Sequence, residues 1–207
     1  MIRNKEETKA RILAAVGSVL ARSGFQKVGV NAIAKEAGVD KVLIYRYFEN
    51  LASLLGAYGC SSDFWLTLDE VVDREMLADE KIPFANKMTS MLLRFLHGLQ
   101  KRPVTQEIMR WELLEQNELT DELHKVREDL GKSLLDILQS QEAIAEEVDL
   151  PAISAVLGAG LVFLLLKSKT NNCFLGVDLQ SPEGWQRIES AVTYIVQATL
   201  QKIETEK

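Results

Sequence analysis

Residues 30–48 read VNAIAKEAGVDKVLIYRYF, and their order decides the fold of the amino-terminal part of the chain. Val30, Ile33, Ala34 and Ala37 place an apolar stripe at helical spacing. Gly38 follows at the position just past a helix, where the backbone commonly turns left-handed and a residue without a Cβ does so at least cost. Asp40 has the side chain of a helix cap, so a second helix is expected from Lys41. On that helix Ile44 and Phe48 lie one turn apart and face a core, which turns Val42, Leu43 and Arg46 the other way, with Lys41 and Tyr45 flanking the outer arc. The order helix, tight glycine turn, helix is that of a helix-turn-helix, in which a small Ala34 lets the second helix cross while Val39 and Ile44 fill the angle. An exposed arc with Lys, Arg and two tyrosines suits the major groove of DNA: cations and hydroxyls meet phosphates, and flatter side chains meet base edges.

Upstream of this stretch, Ile12, Val16, Val19 and Leu20 repeat at helical intervals, predicting a helix over 7–22 that Ser23 and Gly24 stop. Downstream, the same periodicity predicts helices over 51–55, 64–72, 84–99, 104–114, 121–139, 152–167 and 183–203. Breaks fall at Pro83, Pro103, 117–120, Pro151, 170–176 and 181–182. With only four prolines and twelve glycines in 207 residues, the chain is expected to be all-α, with nine or ten helices. It divides into a small helix-turn-helix domain over 1–50 and a larger helical domain over 51–207.

Charge supports that division. The formal net charge is −6, yet residues 1–50 carry nine Lys and Arg against five acids, a net of +4, which leaves −10 for the remainder. A basic head on an acidic body is the distribution expected of a DNA-binding unit attached to a part that does not touch DNA.

Several short runs in the head, Arg11-Ile12-Leu13-Ala14-Ala15, Gly24-Phe25, Ile33 to Val39 and Ile44-Tyr45-Arg46-Tyr47-Phe48, resemble the tetracycline-repressor (TetR) family over roughly the first quarter of the chain. The resemblance implies three helices that bind DNA, a fourth that links them to the body, and a divergent helical domain that binds an inducer and forms a homodimer. Carried over position by position, Lys41, Val42 and Tyr45 stand where the family's recognition helix meets bases, and Arg46 and Tyr47 near backbone-contacting positions. Two departures stand out. Val28-Gly29 replaces a hydroxyl residue that caps the second helix, leaving Gly29 as a weak cap and Asn31 to supply the polar contact. Leu51 stands where the family commonly has a lysine, which removes one phosphate contact and about one unit of salt-dependence slope.

For the body, Trp65, Met88, Met91, Phe95, Trp111 and Phe163 are the candidates to line a cavity for a small molecule, although a helical core uses the same residue types. The acidic balance hints at a cationic ligand. The last two helices, near 152–167 and 183–203, are the expected dimer elements, with Ala155, Gly158 and Ala159 permitting close approach. Residues 150–166 are uncharged, but seventeen residues fall short of the roughly 20 needed to span a bilayer, so they are read as a core or dimer helix with no membrane partner.

Other chemistries find little support. His97 and His124 stand in no HExxH pair, and no GxSxG, Walker or GxGxxG pattern occurs, so no enzyme is expected. Cys60 and Cys173 lack metal-ligand spacing; no metal or cofactor is expected, and both are read as reduced, inert and buried thiols of a cytoplasmic protein. The amino terminus, Met1 to Glu7, has no apolar run of a signal peptide. The reading is a ligand-responsive transcription regulator that a small molecule releases from a palindromic operator. The alternatives keep the fold and substitute a cysteine redox switch, or a helical adaptor that does not bind DNA.

Overall fold

The computed structural model describes residues 2–61, 64–141 and 148–204. Among them are eleven α-helices: α1 (Ile2–Ser23), α2 (Val30–Ala37), α3 (Lys41–Phe48), α4 (Leu51–Gly59), α5 (Leu68–Val71), α6 (Arg74–Ala78), α7 (Phe84–Gln100), α8 (Pro103–Glu112), α9 (Glu118–Gln141), α10 (Leu150–Lys167) and α11 (Pro182–Glu204). A two-stranded antiparallel hairpin, β1 (Cys173–Phe174) and β2 (Val177–Asp178), joins α10 to α11. Among the described residues the fold is all-α apart from that hairpin.

Local chemistry accounts for most boundaries. Asp40 accepts the N–H of Val42 at 2.8 Å, Asn50 that of Ser53 at 2.8 Å, and Asp149 that of Ala152 at 2.9 Å, each relieving an orphan donor at a helix start. The first helix begins at Ile2, five residues before the predicted start at Glu7. The predicted 64–72 helix is the main correction, because Phe64 and Trp65 instead turn back on the carbonyl of Ser61 and the helix is confined to Leu68–Val71. Its start is fixed by Glu70, whose carboxylate accepts the Thr67 backbone N–H at 2.8 Å and its hydroxyl at 3.1 Å. Asp73, bonded to the N–H of Met76 at 3.0 Å, then begins α6, which the periodicity did not foretell.

The chain forms two compact units, Met1–Trp65 with Arg102–Leu130, and Leu66–Lys101 with Gly131–Lys207. In the first, Ile12, Val16, Val19 and Leu20 of α1 are buried together with Ile33 of α2, Ile44 and Phe48 of α3, Tyr58 of α4 and Ile108 of α8. In the second, α7 packs against α5, α10 and α11. His97 of α7 meets Glu189 of α11 at 2.8 Å, and Trp185 donates to the carbonyl of Leu179, tying α11 to the end of the hairpin.

Helix α10 is the one helix among the described residues long and apolar enough to cross a membrane, and only 22% of that span is buried. Beyond Pro151, its exposed residues, Ala152, Ala155, Val156, Ala159, Gly160 and Phe163, recur at helical spacing and form one outward stripe of small and apolar groups. A similar stripe on α11 carries Ala191, Tyr194, Ile195 and Ala198. Cys60 and Cys173 are free and exposed, which corrects the expectation of buried thiols: Cys60 caps the end of α4 and Cys173 lies on the hairpin.

Candidate DNA-binding site

The site is built on the angle between α2 and α3. Ile33 and Ile44 are fully buried and pin the two helices together. Between them Gly38 adopts φ 62° and ψ 39°, so its N–H reaches the carbonyl of Lys35 at 3.3 Å and that of Val39 reaches Ala34 at 3.0 Å. These bonds satisfy the last carbonyls of α2 while turning the chain into α3.

Because Ile44 and Phe48 point inward, the opposite arc of α3 is left to solvent. Lys41 and Arg46 are exposed there, Val42 is 65% exposed and Tyr45 50%. The arc therefore offers apolar and aromatic surface flanked by two cations. Leu43, expected on the same arc, is half-buried. Tyr47 is also half-buried, and the ammonium of Lys5 on α1 lies 5.8 Å from its ring centroid, within the range of a cation–π contact. Lys5 is thereby brought beside α3, a placement that no local pattern in the sequence signals. Asn31 is exposed in the first turn of α2, whose cap, Gly29, offers no side-chain acceptor.

Not every cation of the head is available. Arg22 at the end of α1 binds Glu36 of α2 through two contacts, at 2.9 and 3.4 Å, and this bond and the charge of Arg22 lower the Glu36 carboxyl below its ordinary range. That pair fixes the outer side of α2 to α1 and neutralises Arg22. The spare positive charge therefore comes from lysines and arginines elsewhere on the head, with Lys41 and Arg46 on the outer arc of α3.

The same unit contains α8 and the first half of α9. Trp111 donates its indole N–H to the carbonyl of Ala21 at 3.3 Å, and its ring lies over Gly24, whose φ of 69° and close neighbour both call for glycine. Next to it on α8, Glu112 is buried against Arg127 of α9 at 2.7 Å, and Arg127 stacks 5.7 Å from the ring of Trp65. Burial raises the Glu112 carboxyl, an effect that its bond to Arg127 only partly opposes.

The six body residues named from the sequence fall in two groups. Trp65 and Trp111 belong to the first unit, and Met88, Met91, Phe95 and Phe163 to the second. Met88 and Met91 are buried core residues of α7, Phe95 is half-buried, and Phe163 is exposed with its edge against Phe174 at 5.5 Å. Among the described residues no group of three or more His, Cys, Asp or Glu is placed to hold a metal ion.

Residues 12–58 match the family model described as bacterial regulatory proteins, tetR family. No curated protein matches the chain by sequence. Among solved structures, a TetR family transcription regulator from Marinobacter aquaeolei VT8 is 16% identical, with 93% of this chain and 97% of that one aligned at a TM-score of 0.64. NalD, the secondary repressor of the MexAB-OprM multidrug efflux pump in Pseudomonas aeruginosa, is 17% identical over 96% of each chain, with a TM-score of 0.62. The fatty acid degradation regulator FadR from Bacillus halodurans is 20% identical over 91% of this chain and 93% of its own, with a TM-score of 0.64. At these identities the likeness establishes a shared fold along nearly the whole chain.

Proposed function

Since residues 12–58 form a TetR-family DNA-binding module and the chain has the fold of that family's regulators, we propose that this protein is a cytoplasmic, homodimeric transcription regulator. It represses by holding a palindromic operator and is released by a small molecule. In this reading residues 1–50 read DNA, and residues 51–207 take up the ligand and pair the two copies. The observation that carries it is the outer arc of α3, where Val42 and Tyr45 stand in solvent between Lys41 and Arg46 on a helix locked by Ile33 and Ile44.

Lys41, Val42 and Tyr45 face base edges, while Arg46, Tyr47 and Asn31 meet the sugar-phosphate backbone and Lys5 supports Tyr47. The outward stripes of α10 and α11 are apolar surfaces that a second copy would cover, as in a four-helix interface. A dimer places its two recognition helices about 34–36 Å apart, in successive major grooves, so a small pivot of either head breaks the register. Ligand binding in the body acts by favouring the pivoted state.

The test is selection of bound sequences from random duplex DNA with the purified protein at moderate ionic strength. An enriched palindrome is expected. Enrichment of no sequence above scrambled competitor overturns the reading.

A further inference from the structure

Lys87 sits in the first turn of α7 and is only 7% exposed, yet no carboxylate of the described residues pairs with it. Its ammonium donates to two neutral oxygens, the carbonyl of Leu77 at 2.8 Å and the side-chain amide oxygen of Gln141 at 3.4 Å. A buried ammonium is costly unless an anion compensates it, and two neutral acceptors leave its full positive charge standing. Beside it lies a half-open cavity of about 570 Å³, lined by the apolar Leu77, Ile82 and Phe84 and by the polar Glu80, Lys87, Ser140 and Gln141. That volume is in the range of small-molecule sites.

We propose that this cavity binds a small monoanionic carboxylate, whose head group supplies the missing counter-charge to Lys87 and whose apolar body lies on Leu77, Ile82 and Phe84. One cation calls for one negative charge. Glu80, exposed at the rim of the same cavity and without an ion pair among the described residues, repels a dianion such as phosphate more strongly than a monoanion. A carboxylate meets both conditions, and a cationic ligand is repelled at the buried end. This departs from the cationic ligand hinted at by overall composition, because the net charge of a surface does not determine the charge inside a cavity. The inference deepens the ligand-responsive reading above by naming the head group, although binding itself can be measured without DNA.

Isothermal titration of the full chain with hexanoate and benzoate, with hexylamine and inorganic phosphate as controls, tests it. At least one of the two carboxylates is expected to bind, with hexylamine and phosphate at least tenfold weaker. Lys87→Met should weaken the carboxylate at least tenfold, and Ile82→Trp, which fills the cavity and keeps Lys87, should do the same in a variant whose circular dichroism matches the parent. Absence of carboxylate binding, equal binding of hexylamine, or binding untouched by Ile82→Trp overturns the proposal and leaves Lys87 as a tether for the end of α6. Carboxylate that binds as expected without altering affinity for the selected operator supports the cavity assignment and counts instead against ligand release of DNA.

Discussion

The backbone N–H of Asn50 reaches back to the carbonyl of Phe48 at 2.6 Å, closing a three-residue turn over Glu49, which is held at φ 64° and ψ −54°. This is a γ-turn of the rare, strained kind, and it lies in the two-residue connection between α3 and α4. A side chain at that φ costs roughly 1–3 kcal/mol, whereas glycine adds about 0.5–1 kcal/mol of unfolded-state entropy. Glu49→Gly should therefore stabilise the protein by about 1 kcal/mol, visible as a higher urea midpoint with an unchanged slope. A lower midpoint would mean that Glu49 is not strained there.

Tyr45 and Arg46 are adjacent on α3 but face different parts of a duplex in the proposed complex. Tyr45→Ala should cost about 1–3 kcal/mol on the preferred operator and little on scrambled DNA, narrowing the difference between them. Arg46→Ala should weaken both DNAs alike and reduce the slope of log affinity against log salt by about one. Titrations at three salt concentrations separate the two behaviours. Identical losses from both substitutions on every duplex would contradict the assignment.

Acidification tests the Glu112–Arg127 pair. Burial raises the folded-state pKa of Glu112 above its unfolded value, so its ionised form opposes folding at neutral pH. The penalty is relieved as pH falls through the raised value and is gone below the ordinary value of 4.5. Relative to Glu112→Gln, the parent protein should gain stability across that window as the pH is lowered. Unfolding by urea at several pH values from neutrality down to about pH 4, below the ordinary carboxyl value, should show the two curves diverging in the parent's favour, and parallel curves would remove burial as the dominant influence on Glu112.

Val156 on α10 and Tyr194 on α11 are 72% and 73% exposed in a single chain. If a second copy covers them, a charge placed there is buried on association and must be desolvated, at a cost of several kcal/mol. Val156→Glu is expected to convert the dimer to monomer at micromolar concentration, and Tyr194→Lys to weaken it at least tenfold. Sedimentation velocity reads both. Two variants that sediment like the parent would place the dimer surface elsewhere.

The head was legible because each of its decisions is local. The apolar period of α2, the left-handed Gly38 and the Asp40 cap lie within a dozen residues of one another and agree. The stretch 64–72 is harder to read because two local signals disagree there. Apolar residues across 64–72 satisfy a helical period, but Thr67 and Glu70 form a cap that begins a new helix, and that local hydrogen bond outweighs periodicity. The Thr-x-x-Glu spacing was present to be read. Lys5 beside Tyr47, Glu36 neutralising Arg22 and the enclosure of Lys87 were not readable, because each pairs residues that only tertiary packing brings together. The hairpin eluded pattern reading too, since two residues per strand are too few to show an alternation, and Leu175 occupies a positive-φ turn position normally given to glycine or asparagine.

The compact unit that holds the helix-turn-helix is discontinuous in sequence, since the chain departs after Trp65 and comes back at Arg102 to complete it. A fragment ending at residue 50 or 65 would therefore lose the indole that roofs Gly24 and the α9 side chains, Leu123 and Val126, that press on Gly59. The helix-turn-helix thus shares its packing with α8 and α9. Through that indole, α8 holds the carboxyl end of α1 directly, at the carbonyl of Ala21.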